Sequence, residues 1–325
     1  MTEWPIRFDD VLAARDRLRP HLPSSPLRAY PGLDEAVGDG IRILVKHENL
    51  QPTGAFKVRN ALAALTLLEP DERRRGIVAA SRGNHGLGLA WAGRRLGVPV
   101  TVVVPHGNNP EKNDAMSSLG ARLVEEGRDY DASADAADRL VQEEGLHLVH
   151  STNDPAVVAG AGTLTLEILE EEPEVEALVY AVGGGSQAVG ALTVVRERCP
   201  EVPVYAVQAR GAAAIHDAWH LGRPVSWPAA ETFADGLATR NTYPLTFGAL
   251  QAGLAGFVTV TEEEIAEAVR LALATTHTLV EGAGAAGLAG LRVLRETLAG
   301  KTVGVVFSGA NIDSETLRRI LGREL

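Results

Sequence analysis

The sequence predicts an α/β fold built on parallel sheets, and three observations carry that prediction. Short apolar runs alternate with segments of helical length along the whole chain. Three of those runs end in polar loops rich in glycine. The length, 325 residues, leaves room for about two domains.

The predicted strands, in order, cover residues 41–45, 77–80, 100–104, 178–182, 204–207 and 303–307. Helices are expected at 61–68, 87–96, 130–144, 188–198 and 262–275, the last also read as 264–279 where it precedes residues 282–287. Residues 216–247 hold Pro224, Pro228 and Pro244 and show little periodicity, so they read as a long irregular excursion. No repeat and no low-complexity tract stands out.

Composition narrows the function classes. Apolar residues make up 45% and charged residues 22%, which is an ordinary globular balance. The formal net charge is −11 and no basic block is present, so neither nucleic acid nor an anionic membrane surface is an expected partner. The single cysteine, Cys199, rules out an intrachain disulfide and a cysteine-based metal cluster. The start, MTEWPIRFDD, lacks the pattern of a signal peptide, and no uninterrupted apolar stretch approaches ~18 residues. A cytoplasmic location is the expectation.

The strand ends concentrate the chemistry. Strand 77–80 runs into Ser81-Arg82-Gly83-Asn84-His85-Gly86, strand 178–182 into Gly183-Gly184-Gly185-Ser186-Gln187, and strand 303–307 into Ser308-Gly309-Ala310-Asn311. Open parallel sheets bind ligands beyond the carboxyl ends of their strands, so the three loops should converge on one crevice. The triple glycine, followed by a helix, suits an anion: backbone N–H groups unobstructed by Cβ atoms can ring a phosphate at a helix start. No Gly-Lys-Ser/Thr follows, which excludes the nucleoside-triphosphate loop. Residues 282–287, Gly-Ala-Gly-Ala-Ala-Gly, match the dinucleotide fingerprint as a bare pattern. They lack the preceding strand that it needs, so a nicotinamide role is not expected.

The chain has four lysines, Lys46, Lys57, Lys112 and Lys301. A lysine that attacks a carbonyl must be neutral, and so wants a partly desolvated place near cations or phosphate. Lys46 follows a strand, Lys301 precedes one, and Lys112 reads as an exposed residue at a polar helix start. Lys57 follows the turn Pro52-Thr53-Gly54-Ala55-Phe56 and leads an apolar helix, a position that can aim a lysine into a cleft.

Residues 47–59, His-Glu-Asn-Leu-Gln-Pro-Thr-Gly-Ala-Phe-Lys-Val-Arg, resemble the cofactor-lysine signature of the serine/threonine dehydratase family of fold-type II pyridoxal phosphate (PLP) enzymes. Further blocks match in the family's order: 81–86; Asp154-Pro155 with Gly160, Gly162 and Thr163; 183–185; 234–238; Glu281 with Gly284 and Ala285; and 308–311. Each block is weak alone, but the ordered set spans nearly the whole chain.

The resemblance implies a tryptophan synthase β-like fold of two open, twisted parallel-sheet domains with the cofactor between them. The large domain would comprise residues 1–65 and 151–325, and a small mobile domain residues 66–150. Lys57 would carry PLP as a Schiff base and move the proton at Cα. Phe56, Asn84, Gly183, Gly184, Gly185, Ser186, Gln187, Glu281 and Ser308 would complete the cofactor site. Ser81, Arg82, Gly83, Asn84, His85 and Gly236 would hold the amino-acid substrate. The implied reaction is β-elimination from a β-hydroxy amino acid such as threonine or serine, giving a 2-oxo acid and ammonia, as in amino-acid catabolism. Other reactions of the fold, racemisation or β-replacement, are the alternatives, as is a larger or acidic substrate such as 3-hydroxyaspartate, phenylserine or a hydroxyectoine-pathway intermediate. A homodimer is usual for the family.

Several positions depart from the family pattern. Arg82 stands where racemases carry a serine that exchanges protons, and a guanidinium is a poor acid–base group near neutrality. The racemase-like cation site needs acidic residues after strand 204–207, where this chain reads Gln208-Ala209-Arg210-Gly211, so no metal is expected there. The chain stops soon after the Ser308 loop, so a C-terminal regulatory domain is not expected.

Overall fold

The computed structural model describes residues 4–325, apart from the side chain at 131. In chain order its strands are β1 (Leu27–Ala29), β2 (Arg42–Lys46), β3 (Ile77–Ala80), β4 (Val100–Val104), β5 (Arg122–Glu125), β6 (His147–Leu148), β7 (Ala177–Ala181), β8 (Val204–Ala209), β9 (Gly256–Val260) and β10 (Thr302–Val306). They form two sheets, one ordered β1-β2-β10-β7-β8-β9 and the other β5-β4-β3-β6. All pairings are parallel except β1 against β2.

The interior strands form because they are apolar on both faces. Every residue of β3 and β4 is buried, as expected where helices cover a parallel sheet on both sides. All six predicted strands are interior strands. The four that the apolar pattern missed, β1, β5, β6 and β9, are the sheet edges. Edge strands are short or partly exposed and gain their definition from the neighbour they pair with. In β5, Arg122 and Glu125 face solvent and Leu123 and Val124 are half-buried, so no apolar run marks it.

Some boundaries move. β2 extends to Lys46, which pairs with Leu27 and Val306, and the Lys46 ammonium, fully buried, reaches the Ser25 carbonyl (2.7 Å), Glu167 (2.8 Å) and Glu171 (3.1 Å). The stretch 216–247 is less irregular than expected: helices Ala214–Leu221 and Pro244–Gly253 occupy both ends. Pro244 opens its helix, where its missing N–H costs no hydrogen bond. The helix expected over 264–279 ends at Thr276, with His277 left-handed at its cap. The fingerprint-like 282–287 is the start of the buried helix Gly282–Val293, with the Gly309 backbone 2.4 Å from where a Cβ at 284 would lie.

Helices Lys57–Leu65, Asn84–Leu96, Pro155–Glu171 and Ser186–Arg198 lie in an apolar core shared by both sheets. Close packing there depends on absent side chains: a Cβ at Gly160 would stand 2.7 Å from the Arg59 carbonyl, and one at Gly88 2.9 Å from that of Lys57. One charged group sits at the centre of this layer. Arg59, 2% exposed, donates Nε to Glu48 (2.8 Å), Nη1 and Nη2 to Glu167 (both 2.7 Å) and Nη1 to Thr163 (3.1 Å). The turn after β2, the helix that begins at Lys57 and the helix Pro155–Glu171 are thereby tied at one point.

Arg59→Leu would leave Glu48 without a counter-charge in the core and Glu167 with Lys46 alone. It is expected to cost about 3–5 kcal/mol in denaturant unfolding. Arg122→Ala, which removes the exposed pair with Glu144 (2.7 Å), should cost about 1 kcal/mol or less.

Candidate active site

The carboxyl ends of β3, β7 and β10 open on one cleft between the sheets. It holds about 1070 Å³ of space between atoms, its open mouth included. Phe56, Lys57, Ser81, Arg82, Gly83, Asn84, His85, the whole of 183–187, Gly236, Glu281 and Ser308 all line it.

Lys57 is the first residue of its helix, with Phe56 as the capping position. The turn before it is clamped to the loop after β10: Phe56 N donates to the Ser308 carbonyl (3.0 Å), Ala310 N to Gly54 (2.8 Å), and Asn311 Nδ2 to Thr53 (2.8 Å). The Lys57 ammonium donates to the Ser151 carbonyl (3.1 Å) and lies 5.1 Å from the centre of the Phe56 ring. Burial disfavours its charge and pushes the amine down to about 8.

Opposite stands the 183–185 loop. Gly185 is left-handed (φ 99°) and caps the helix Ser186–Arg198, whose first N–H groups have no partner inside the helix. Thr246 Oγ1 and Thr239 Oγ1 hold the carbonyls of Gly184 (2.8 Å) and Gly183 (3.3 Å). A Cβ at 184 would come within 2.1 Å of Thr152 Oγ1, and one at 183 within 2.3 Å of the Gly236 carbonyl. Only glycine fits this cradle. Gln187 Nε2, buried beside it, finds no hydrogen-bond partner among the described residues. A phosphate fits this set of donors, and a reactive aldehyde fits the nearby amine.

The loop after β3 is organised by one hydroxyl. Ser81 Oγ accepts from Gly83 N (3.2 Å) and Gly86 N (2.9 Å), shaping the start of helix Asn84–Leu96. Asn84 Nδ2 donates to Glu281 Oε1 (2.6 Å), and its carbonyl accepts from Asn311 Nδ2 (2.7 Å). Glu281 is buried, and desolvation raises its carboxyl to about 7 despite the Lys112 charge and the Asn84 bond. His85 donates Nε2–H to the Val149 carbonyl (3.0 Å), and burial and the Lys57 charge drop it to about 3. It is therefore neutral, and its Nδ1 can only accept. An anion at this loop would be held by backbone N–H groups rather than by the imidazole.

One sequence expectation is corrected here. Lys112 is not exposed: its side chain is 12% exposed, lines the cleft and ion-pairs with Asp235. Arg82 is half-exposed at the mouth, with Nη2 3.8 Å from the other Asp235 oxygen. Lys112 and Asp235, with Tyr130, Thr152 and Thr239, are lining residues that sequence reasoning passed over. Nothing in Pro110-Glu111-Lys112-Asn113 distinguishes that lysine from one on a solvated helix start.

Two parallel-sheet units meeting at a desolvated lysine and a glycine cradle define an enzyme that works through a phosphorylated carbonyl cofactor. The chain belongs to the pyridoxal-phosphate dependent enzyme family, whose model matches residues 18–309. It is 40% identical over 316 residues to an L-threonine ammonia-lyase of Geobacter sulfurreducens, covering 97% of this chain and 78% of that one. It is 32% identical over 314 residues to an L-threo-3-hydroxyaspartate ammonia-lyase of a Pseudomonas species, covering 97% and 98%. The structure of the processed form of threonine deaminase isoform 2 from Solanum lycopersicum matches with a TM-score of 0.90 at 29% identity, over 97% of this chain and 86% of that one.

In the cofactor-free chain, competitive labelling of amines from pH 6 to 11 should show Lys57 half-reactive near pH 8, well below the ~10.4 of an ordinary lysine. Glu281 gives an opposite pH signature. Between pH 4.5 and about 7 the folded chain keeps a proton on it that the unfolded chain releases, so stability is lost as pH rises through that window. Glu281→Gln should match the wild type in thermal melts below pH 4.5 and exceed it above pH 7.

Proposed function

We propose that this enzyme eliminates water from a β-hydroxy amino acid and releases a 2-oxo acid and ammonia. The water lost at the β-carbon is balanced by the water that hydrolyses the product imine, so the net loss is ammonia. The observation that carries the reading is the pairing of a desolvated lysine, Lys57, with the anion cradle 183–185 across one cleft. The named activities of the similar ammonia-lyases support it.

In this reading the backbone N–H groups of Gly183, Gly184, Gly185 and the start of the next helix hold the cofactor phosphate, with Ser186 and Gln187 at its edge. Phe56, Asn84 and Glu281 would position the ring, and Ser308 would offer its nitrogen a neutral hydroxyl. PLP, when bound, supplies the electron sink for a carbanion at Cα. Lys57 Nζ, lowered by burial to about 8, would hold the cofactor and take up the Cα proton. Ser81, Gly83, Asn84 and His85 receive the substrate carboxylate at a helix start, and Gly236 and Arg82 border its side chain. Residues 66–150 act as a small domain that closes over the substrate and excludes water. The ion pairs of Asp235 with Lys112 and Arg82, which join that unit to the rest, support such closure. Racemisation is disfavoured because Arg82 offers no proton near neutrality. A cytoplasmic homodimer is the setting proposed for it.

Borohydride reduction of the purified protein, followed by peptide mapping, should place a PLP tag on Lys57; a tag elsewhere, or none, removes the reading. Lys57→Ala should lower 2-oxo acid formation from a panel of β-hydroxy amino acids by at least about a thousandfold.

A further inference from the structure

The mouth of the cleft holds more positive than negative charge. Lys112 stands on helix Pro110–Ser118 and crosses over Gly83, so that a Cβ there would lie 3.3 Å from its Cδ and 3.8 Å from its Nζ. Its ammonium thus hangs above the loop where a substrate carboxylate would bind. Arg82, from that same loop, reaches the mouth beside it. One carboxylate, Asp235, serves both cations, one oxygen toward each. Lys112 also acts on Glu281, whose charge is held back by desolvation, and on Asp313, which lies outside the cleft lining.

We propose that the cleft selects a β-hydroxy amino acid bearing a second carboxylate, with Lys112 and Arg82 as its specificity-determining residues and Asp235 as the internal carboxylate with which it competes. This rests on the function proposed above and names its substrate class. The physical reason lies in what each side chain would meet. The methyl of threonine has no partner in a group of two cations and one anion. A distal ammonium meets two like charges for one opposite. A distal carboxylate finds an ammonium and a planar guanidinium fork, both donors for charge-assisted hydrogen bonds. Asp235 keeps the cations in place and reduces the net gain, so the preference is set by about one such bond.

The test uses the holoenzyme and reads binding apart from turnover, with ligands that lack a β-hydroxyl to lose. By calorimetry, L-aspartate should bind at least tenfold more tightly than L-alanine, about 1.4 kcal/mol. That ratio should fall below threefold in Lys112→Gln and in Arg82→Gln. Asp235→Asn, which takes away the competing carboxylate, should tighten aspartate further, a gain that a loss of fold cannot imitate. A wild-type ratio under tenfold overturns the proposal, as does a ratio unaltered in both glutamine variants or a weaker aspartate in Asp235→Asn. Arg82 is half-exposed, so its variant and the wild-type ratio decide the matter should Lys112→Gln not fold. Turnover of threonine and serine with a flat affinity ratio sinks this inference alone. Absence of any 2-oxo acid, with the affinity ratio intact, sinks the reaction and leaves the charge selectivity standing.

Discussion

The guanidinium of Arg59, out of water between Glu48 and Glu167, is the contact on which the rest of the site depends. It lies two residues beyond Lys57 on the same helix, so whatever fixes Arg59 also fixes the direction in which Lys57 leaves the backbone. Burying three charges carries a desolvation cost that an apolar cluster would avoid. The return is geometric. A planar fork bonded to two carboxylates has one orientation, whereas leucines in the same place could repack in several. Lys46 extends the arrangement by pairing with Glu167 and Glu171, which anchors the end of β2 to the same helix.

With its helix held from beneath, Lys57 meets an environment of the opposite kind. Below, each buried charge has a counter-charge; at the cleft, the amine has a backbone carbonyl and an aromatic ring. Desolvation there lowers the amine and raises the Glu281 carboxyl, so both titrate nearer neutrality than they would in water. His85 is carried further and stays neutral. Formal charge is left at the mouth, on Arg82, Lys112 and Asp235, where water still screens it. The amine driven toward neutrality and the ionic groups thus occupy separate layers of one cleft.

The interior strands were legible because burial on both faces writes an unbroken apolar run, as in Val100–Val104. The edges were not: β1 and β6 are only three and two residues long, and β5 begins and ends on exposed charges. The glycines of 183–185 were legible for a related reason. A backbone packed against Thr152 and Gly236 excludes every side chain, and that exclusion is written directly as residue type. Lys112 carried no such mark. Its neighbours in the chain are polar, and its partner, Asp235, lies 123 residues away.

Taken alone, the amino-acid sequence determined the parallel α/β class, the lysine at the head of an apolar helix and the three loops that line the cleft, because each is a local demand on burial or backbone shape. The tertiary structure decided which sheet edges pair, that Lys112 turns inward, and how far Lys57, His85 and Glu281 are driven from their solution protonation. Those properties depend on desolvation and on charges brought together from distant parts of the chain, and neither exists until the chain has folded.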